Sequence, residues 1–388
     1  MSKPILIIDG NRNGLALIRA LGQAGHPIYC VDHKWYKPGR FSKFVFGSSL
    51  LPKPGENPEA LIQGLLEIGK KQGPEKMALL PVNDEYVSLF ARNWSKLSQF
   101  YIPAFETKES TVYQVLDKLK FADLTESISI PVPKRFTKDQ VVKDAVDYPV
   151  IIKPGMRRNI DTVGKGLFKV RLCHEKGYLL ESIEELESAG AEYILQSYIP
   201  GGDDTLYTAG VAAWKGKLLG CFTGRKIRQF PPITGEAAYA STADAPEIIE
   251  YAKAIVSATG YSGIAQIEFK KHDGDYYVIE MNPRSWSWNG LAWAVGVPLG
   301  KLVVDASEGK LPNSILTNQR AGTWSFFLED FSFNFLLNRN FPLGKMIRQH
   351  RKSDFKAFYQ KGDFRPFLMH LLVQYPFRLY ELILGKKR

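Results

Sequence analysis

"YYVIEMNPRSW", residues 276–286, begins as an apolar β-type run, Tyr276 to Ile279, and then sets Glu280, Asn282 and Arg284 at every second position. Alternate residues of a strand share a face. One face at the end of this strand therefore offers a carboxylate, an amide and a guanidinium in a row. Taken alone, the trio fits a solvated strand edge as well as a binding site. The residues around it decide between the two.

Just upstream, "GIAQIEFKKHDGDYYVIEMNP" reads as a hairpin around Asp273–Gly274, which brings a second carboxylate, Glu268, toward the trio. A two-residue Asp-Gly turn sets Glu268 opposite Ile279 and puts the two glutamates on opposite faces. A loop of odd length centred on Gly274 sets Glu268 opposite Glu280. The odd loop is the expectation. Two unpaired carboxylates side by side repel or share a proton, whereas two carboxylates and an amide oxygen suit Mg²⁺, which keeps waters and phosphate oxygens as its other ligands. Arg284 can then hold a phosphate or a carboxylate by a bidentate contact.

Two further cations fit that chemistry. Lys153 ends the apolar strand "VIIKP", where a lysine is costly to bury unless an anion meets it. Lys118 and Lys120 fall near the end of a helix read across "TVYQVLDKLKFADLTES", where a surface cation also complements the helix dipole.

Towards the amino terminus, "PILIIDGNRNGLALIRALGQAGHPIYCVD" reads as strand, glycine-bearing turn, helix and strand, and "MALLPVNDEYVSLFARNW" repeats the theme. Strands alternating with helices predict an open parallel sheet whose ligands lie beyond the strand carboxyl ends. "DGNRNG" lacks the dinucleotide-fingerprint spacing, which argues against an NAD site. The predicted organisation is an α/β domain over 1–110, an α+β region over 111–310 with a subdomain near 150–200, and a basic, aromatic, helical extension over 311–388.

The chain has 388 residues, 45% of them hydrophobic, which allows two or three domains. Cys30, Cys173 and Cys221 have no metal-ligand spacing, and so sparse a set fits a reducing compartment. "MSKPILIIDG" has too short an apolar core for a signal peptide, and the expected location is cytoplasmic. From Phe331 onward twelve Lys/Arg face three Asp/Glu, which leaves 39 basic and 37 acidic residues in the first 330. The net charge of +11 thus sits mostly in the tail, and nucleic acid is not an expected partner.

In order along the chain, "LDKLKF", "PVIIKP", a glycine-containing loop, "LQSYIPGGDD", "GRKIRQFPP", "AQIEFK" and "YVIEMNPRSW" resemble the ATP-grasp superfamily, of the carboxylate–amine ligase type. The resemblance covers about residues 1–310, since "PVNDE" is similar to the last strand-loop of the domain that precedes the grasp fold. It implies ATP and Mg²⁺ as cofactors, with two ions expected and Mn²⁺ as a substitute. Lys153 and Lys118 match the lysines on the ATP phosphates, and Lys226 a cation facing the γ-phosphate. "GMRRNIDTVGKG", 155–166, matches a mobile loop closing over the triphosphate. Gln196, Ser197 and Ile199 lie in the segment that meets the adenine edge, and Asp203 or Asp204 falls near the ribose. Glu268, Glu280 and Asn282 match the metal ligands, and Arg284 the arginine near the transferred phosphate, with Arg228 a second candidate for the substrate carboxylate. Two positions depart from the pattern: the loop carries Arg157, Arg158 and Lys165 instead of a run of glycines, and Gln196 replaces a frequent Glu.

The resemblance implies ATP-dependent formation of an acylphosphate and its capture by an amine. A ligase that activates bicarbonate is the nearest rival, and a non-catalytic nucleotide-binding module is the rival from another class. "KIRQFPP" followed by glycine resembles ligases that attach an amino acid to a cell-wall or polysaccharide precursor, with "SWSWNGLAW" expected beside the acceptor. The tail stands outside the resemblance. A final helix over Pro366–Leu384 is predicted, with His370, Gln374, Arg378 and Glu381 as a narrow polar stripe and Pro376 as a kink. It packs on the body or on a second subunit in a homodimer, or lies on the inner membrane face beside Lys386, Lys387 and Arg388.

Overall fold

The apolar runs of the first hundred residues become five parallel strands: β1 (Ile5–Ile8), β2 (Ile28–Asp32), β3 (Val45–Leu50), β4 (Met77–Pro81) and β5 (Tyr101–Pro103). Their order, β3-β2-β1-β4-β5, reverses direction at β1. Every residue of β1 and β4 is buried, as strands covered on both faces must be. At the carboxyl end of β1 the chain turns through Asp9 and Gly10. Asn11 then caps the helix Arg12–Gln23, its side chain accepting from the Asn13 and Gly14 amides. The computed structural model describes residues 2–156, 167–230, 235–336 and 342–377. Most of the expected lid (157–166) and the end of the expected final helix (378–388) lie outside them.

A second, antiparallel sheet holds β6 (Arg135–Phe136), β7 (Val150–Pro154), β8 (Arg171–Cys173) and β9 (Tyr193–Ser197), in the order β6-β9-β7-β8. Val150 and Ile152 pack into its core with Cys173 and Leu195, so the alternate face of β7 presents Ile151 and Lys153. The third sheet has seven strands in the order β14-β13-β10-β11-β12-β15-β16. These are β10 (Leu206–Trp214), β11 (Lys217–Phe230), β12 (Glu236–Thr242), β13 (Gly263–His272), β14 (Asp275–Asn282), β15 (Thr323–Ser325) and β16 (Phe355–Lys356).

Two expectations change. "TVYQVLDKLKFADLTES" is not one helix but two, Glu109–Leu116 and Lys118–Ser127, because Asp117 leaves the helical path and caps the second. The tail is not purely helical, since β16 pairs with β15 and extends the large sheet. Its last described helix, Arg365–Met369, widens into a π turn at His370–Gln374 ahead of Pro376, whose missing amide cannot serve a regular turn. His370 there is not on a solvent stripe. It is buried, stacked on Phe358 with ring centroids 3.7 Å apart, while Leu368 and Leu372 are exposed.

Candidate active site

β13 and β14 are joined by a two-residue turn, with His272 paired to Asp275 and both Asp273 (φ 50°) and Gly274 (φ 96°) in the left-handed region. The expected odd loop is absent. A bulge at Ile279 does its work, since Phe269 pairs with Val278 but Glu268 pairs with Glu280. One extra residue on one strand switches which face follows. Tyr276, Val278 and Met281 therefore all enter the core, and Glu280 and Asn282 escape to the other side. Asn282 Nδ2 donates to Glu280 Oε1 at 3.1 Å, and Arg284 Nη2 donates to Asn282 Oδ1 at 3.1 Å. The trio of the opening stretch is one hydrogen-bonded row.

Cations gather on that row. Lys226 Nζ lies 3.3 Å from Glu268 Oε1, which also accepts from Gln266 Nε2 at 2.8 Å. Burial pushes the Glu280 carboxyl up, but Lys118, Lys153, the Asn282 hydrogen bond and Lys226 together outweigh it, and the group is held below its ordinary value. Burial lowers the Lys153 ammonium to about 8, with Lys118 and Lys270 adding to the effect and Glu280 and Glu268 opposing it. Lys118 is the first residue of its helix, where the dipole disfavours a cation, so the position calls for an anion in front of it.

The remaining expected residues are distributed as follows. Gln196 is buried on β9 and lines a small cavity with Lys118 and Ile279. The backbone amide of Ser197 donates to Lys134 O and that of Tyr198 to Pro149 O, and Ile199 is buried. Asp203 turns to β11, accepting from the Gln229 amide (2.9 Å) and side chain (3.0 Å), while Asp204 stays exposed. Arg284 is held by Asp84, Nε to Oδ1 at 2.9 Å. Arg228 is bound by Asp330, Nε to Oδ1 at 3.0 Å, and by Gln349. Core packing is the ordinary place for such aromatic mass, and Trp286 and Trp288 follow it. They are core residues that pack with Phe222, and Trp293 bonds Gln23.

Sequence reading missed Gln266, Asp84 and Asp330. Gln266 was accessible through the same alternate-position logic, two residues before Glu268. The two aspartates lie 200 and 102 positions from their arginines, and no local pattern marks them.

Residues 115–287 match the ATP-grasp domain family, and this stretch carries Lys118, Lys153, Lys226, Glu268, Glu280, Asn282 and Arg284. That part of the chain is an ATP-grasp domain. A curated relative, the arginine-specific carbamoyl phosphate synthase large chain of Halalkalibacterium halodurans, is 26% identical over 220 residues, 53% of this chain and 20% of that protein. The chain thus matches only about a fifth of that relative's length. Among solved structures, the biotin carboxylase domain of 2-oxoglutarate carboxylase from Hydrogenobacter thermophilus, in complex with MgADP, ADP and bicarbonate, has a TM-score of 0.62 at 18% identity, covering 83% of this chain and 74% of that one. The L-amino acid ligase of Bacillus licheniformis gives 0.60 at 16%, covering 83% and 79%. N5-carboxyaminoimidazole synthetase of Staphylococcus aureus with ADP gives 0.62 at 15%, covering 83% and 82%. At these identities the likeness is one of fold.

Proposed function

We propose that the chain is an ATP- and Mg²⁺-dependent ligase that activates a carboxylate as an acylphosphate and joins it to an amine. The observation that carries this reading is the pairing of Glu268 with Glu280 beneath Lys118, Lys153 and Lys226. A carboxylate pair with lysines around it matches a metal–triphosphate complex in both signs of charge. Glu268, Glu280 and Asn282 would hold the metal, which when bound neutralises charge on the β- and γ-phosphates. Lys118, Lys153 and Lys226 hold the phosphate oxygens. Gln196, Ser197 and Ile199 border the base, and Asp204, with Asp203, the ribose.

Arg284, braced by Asp84, orients the substrate carboxylate, with Arg228 as the second candidate. A carboxylate oxygen attacks the γ-phosphorus and ADP leaves. The amine nitrogen then attacks the acyl carbon, the C–O bond to phosphate breaks, and the nitrogen gives up its proton.

A second reading, activation of bicarbonate, is favoured by the fold shared with a biotin carboxylase domain whose structure holds bicarbonate. One assay separates them. Phosphate release from ATP is measured with a panel of amino acids, alone and in pairs, and with bicarbonate. Release that needs a carboxylate and rises with an amine supports the ligase. Dependence on bicarbonate alone supports the second reading, and ATP binding without any release supports a non-catalytic module.

A further inference from the structure

A cavity of about 460 Å³, sharing no lining residue with the candidate ATP site, is bounded by Phe326, Phe327, Leu328, Ile347, Phe358 and Phe367 from the carboxyl-terminal region. Its volume falls in the range of about 300–1,000 Å³ typical of small-molecule sites. The wall is apolar apart from a few groups, and the charged ones are cationic: Arg351 and Lys356, with no carboxylate among the lining residues. The helix Leu343–Lys352 adds Lys345, Arg348 and Lys352 and contains no acid.

The wall also holds a buried histidine. His350 is 4% exposed, and its Nε2 lies 2.9 Å from Asp330 Oδ2, which makes Nε2 the donor. Its Nδ1 is buried and has no hydrogen-bond partner among the described residues. That nitrogen is sealed from solvent, so recognition of a bound molecule falls to the apolar wall and its cationic rim. A plain hydrocarbon would place no anion at Arg351 or at Lys356, whose ammonium donates at 3.4 Å to the neutral Ser353 carbonyl.

We propose that this cavity binds the apolar chain of an anionic amphiphile, with its head group at Arg351 and Lys356. Exposed Leu343, Leu368 and Leu372 on neighbouring turns give a longer chain further apolar surface. The proposal is independent of what the ATP site catalyses.

The test titrates the full chain, without ATP, with dodecyl phosphate held below its micelle threshold, using dodecanol and butyl phosphate as controls. Saturable one-to-one binding is expected, with both controls at least tenfold weaker. Ile347→Trp fills the cavity from a side chain that is already 40% exposed, and Arg351→Glu reverses charge at an exposed rim position; each should weaken binding at least tenfold. Should Ile347→Trp fail to fold, Arg351→Glu carries the test. No binding, or binding equal in folded variants and the parent, overturns the site. A second arm uses vesicles containing phosphatidylglycerol. Co-sedimentation that dodecyl phosphate abolishes identifies a bilayer lipid as the source. Dodecyl phosphate binding without co-sedimentation identifies a soluble amphiphile.

Discussion

Lys153 and Glu280 hold opposite charges in one half-buried cluster, and the balance between them sets two measurable behaviours. With its ammonium lowered to about 8 from 10.5, Lys153 binds a proton more weakly in the fold than in the unfolded chain. Between these values the unfolded chain carries more protons, so this lysine makes stability rise with pH from about 8 to 10.5. Lys153→Met should remove that rise, as followed by urea denaturation across the window. A triphosphate in front of the lysine favours the ammonium, so ATP binding near pH 8.5 should take up a proton. Calorimetry in buffers of different ionisation enthalpy should detect the uptake in the parent and lose it in Lys153→Met. Glu280→Gln removes the carboxylate that the lysines surround. Phosphate release should fall by at least about 100-fold, the scale of losing one preorganised electrostatic group, while circular dichroism stays that of the parent. Release near the parental rate would contradict the assigned role.

The hairpin of β13 and β14 shows what a sequence discloses about an element and what it withholds. Although the two-residue turn formed in place of the expected odd loop, the alternation of Glu280, Asn282 and Arg284 and a hairpin around Asp273–Gly274 are both local, and both were readable. The bulge at Ile279 was not, because nothing in an isoleucine between valine and glutamate signals an extra residue. It follows from the competing demands of Tyr276, Val278 and Met281 for one core. Lys118 was misplaced for a related reason, since its segment is periodic throughout and the break at Asp117 depends on tertiary contacts, among them the Lys118 amide donating to Gly155 O. The tryptophans were readable as apolar mass but not as neighbours of a particular glycine. A Cβ on Gly210 would come within 2.0 Å of the Trp286 ring. Gly210→Ala should therefore cost about 1–3 kcal/mol through overpacking. The decrease in urea midpoint measures it, and an unchanged midpoint would mean that Trp286 can swing away freely.

At the scale of the whole molecule, the parallel amino-terminal sheet was legible because alternating strands and helices dictate it, whereas the anchoring of the carboxyl-terminal extension was not. Arg19, in the first helix, and Asp363, 344 residues later, form an ion pair at 2.8 Å with both side chains 1% exposed. Arg19 also donates to the Phe358 and Asp363 carbonyls, and Asp363 accepts from the Ser42 hydroxyl and the Lys43 amide. From sequence, Arg19 is one more cation on a helix and Asp363 a residue after a turn glycine. Only the fold takes both from water, and each is then tolerable only because of the other. Burial lowers the Arg19 pKa against the pull of Asp363, so removing the carboxylate leaves a guanidinium with backbone carbonyls alone for partners. Asp363→Ala should cost about 3–5 kcal/mol, the usual cost of breaking a buried pair from one side. The double variant Arg19→Met/Asp363→Ala should recover part of that loss, because the stranded charge goes with its partner, although Ser42 and Lys43 still lose an acceptor. Urea denaturation of Asp363→Ala, Arg19→Met and the double variant beside the parent closes the cycle. A single variant within about 1 kcal/mol of the parent, or a double variant no better than the single, would show that water reaches Arg19 and that the extension is held by its apolar contacts instead.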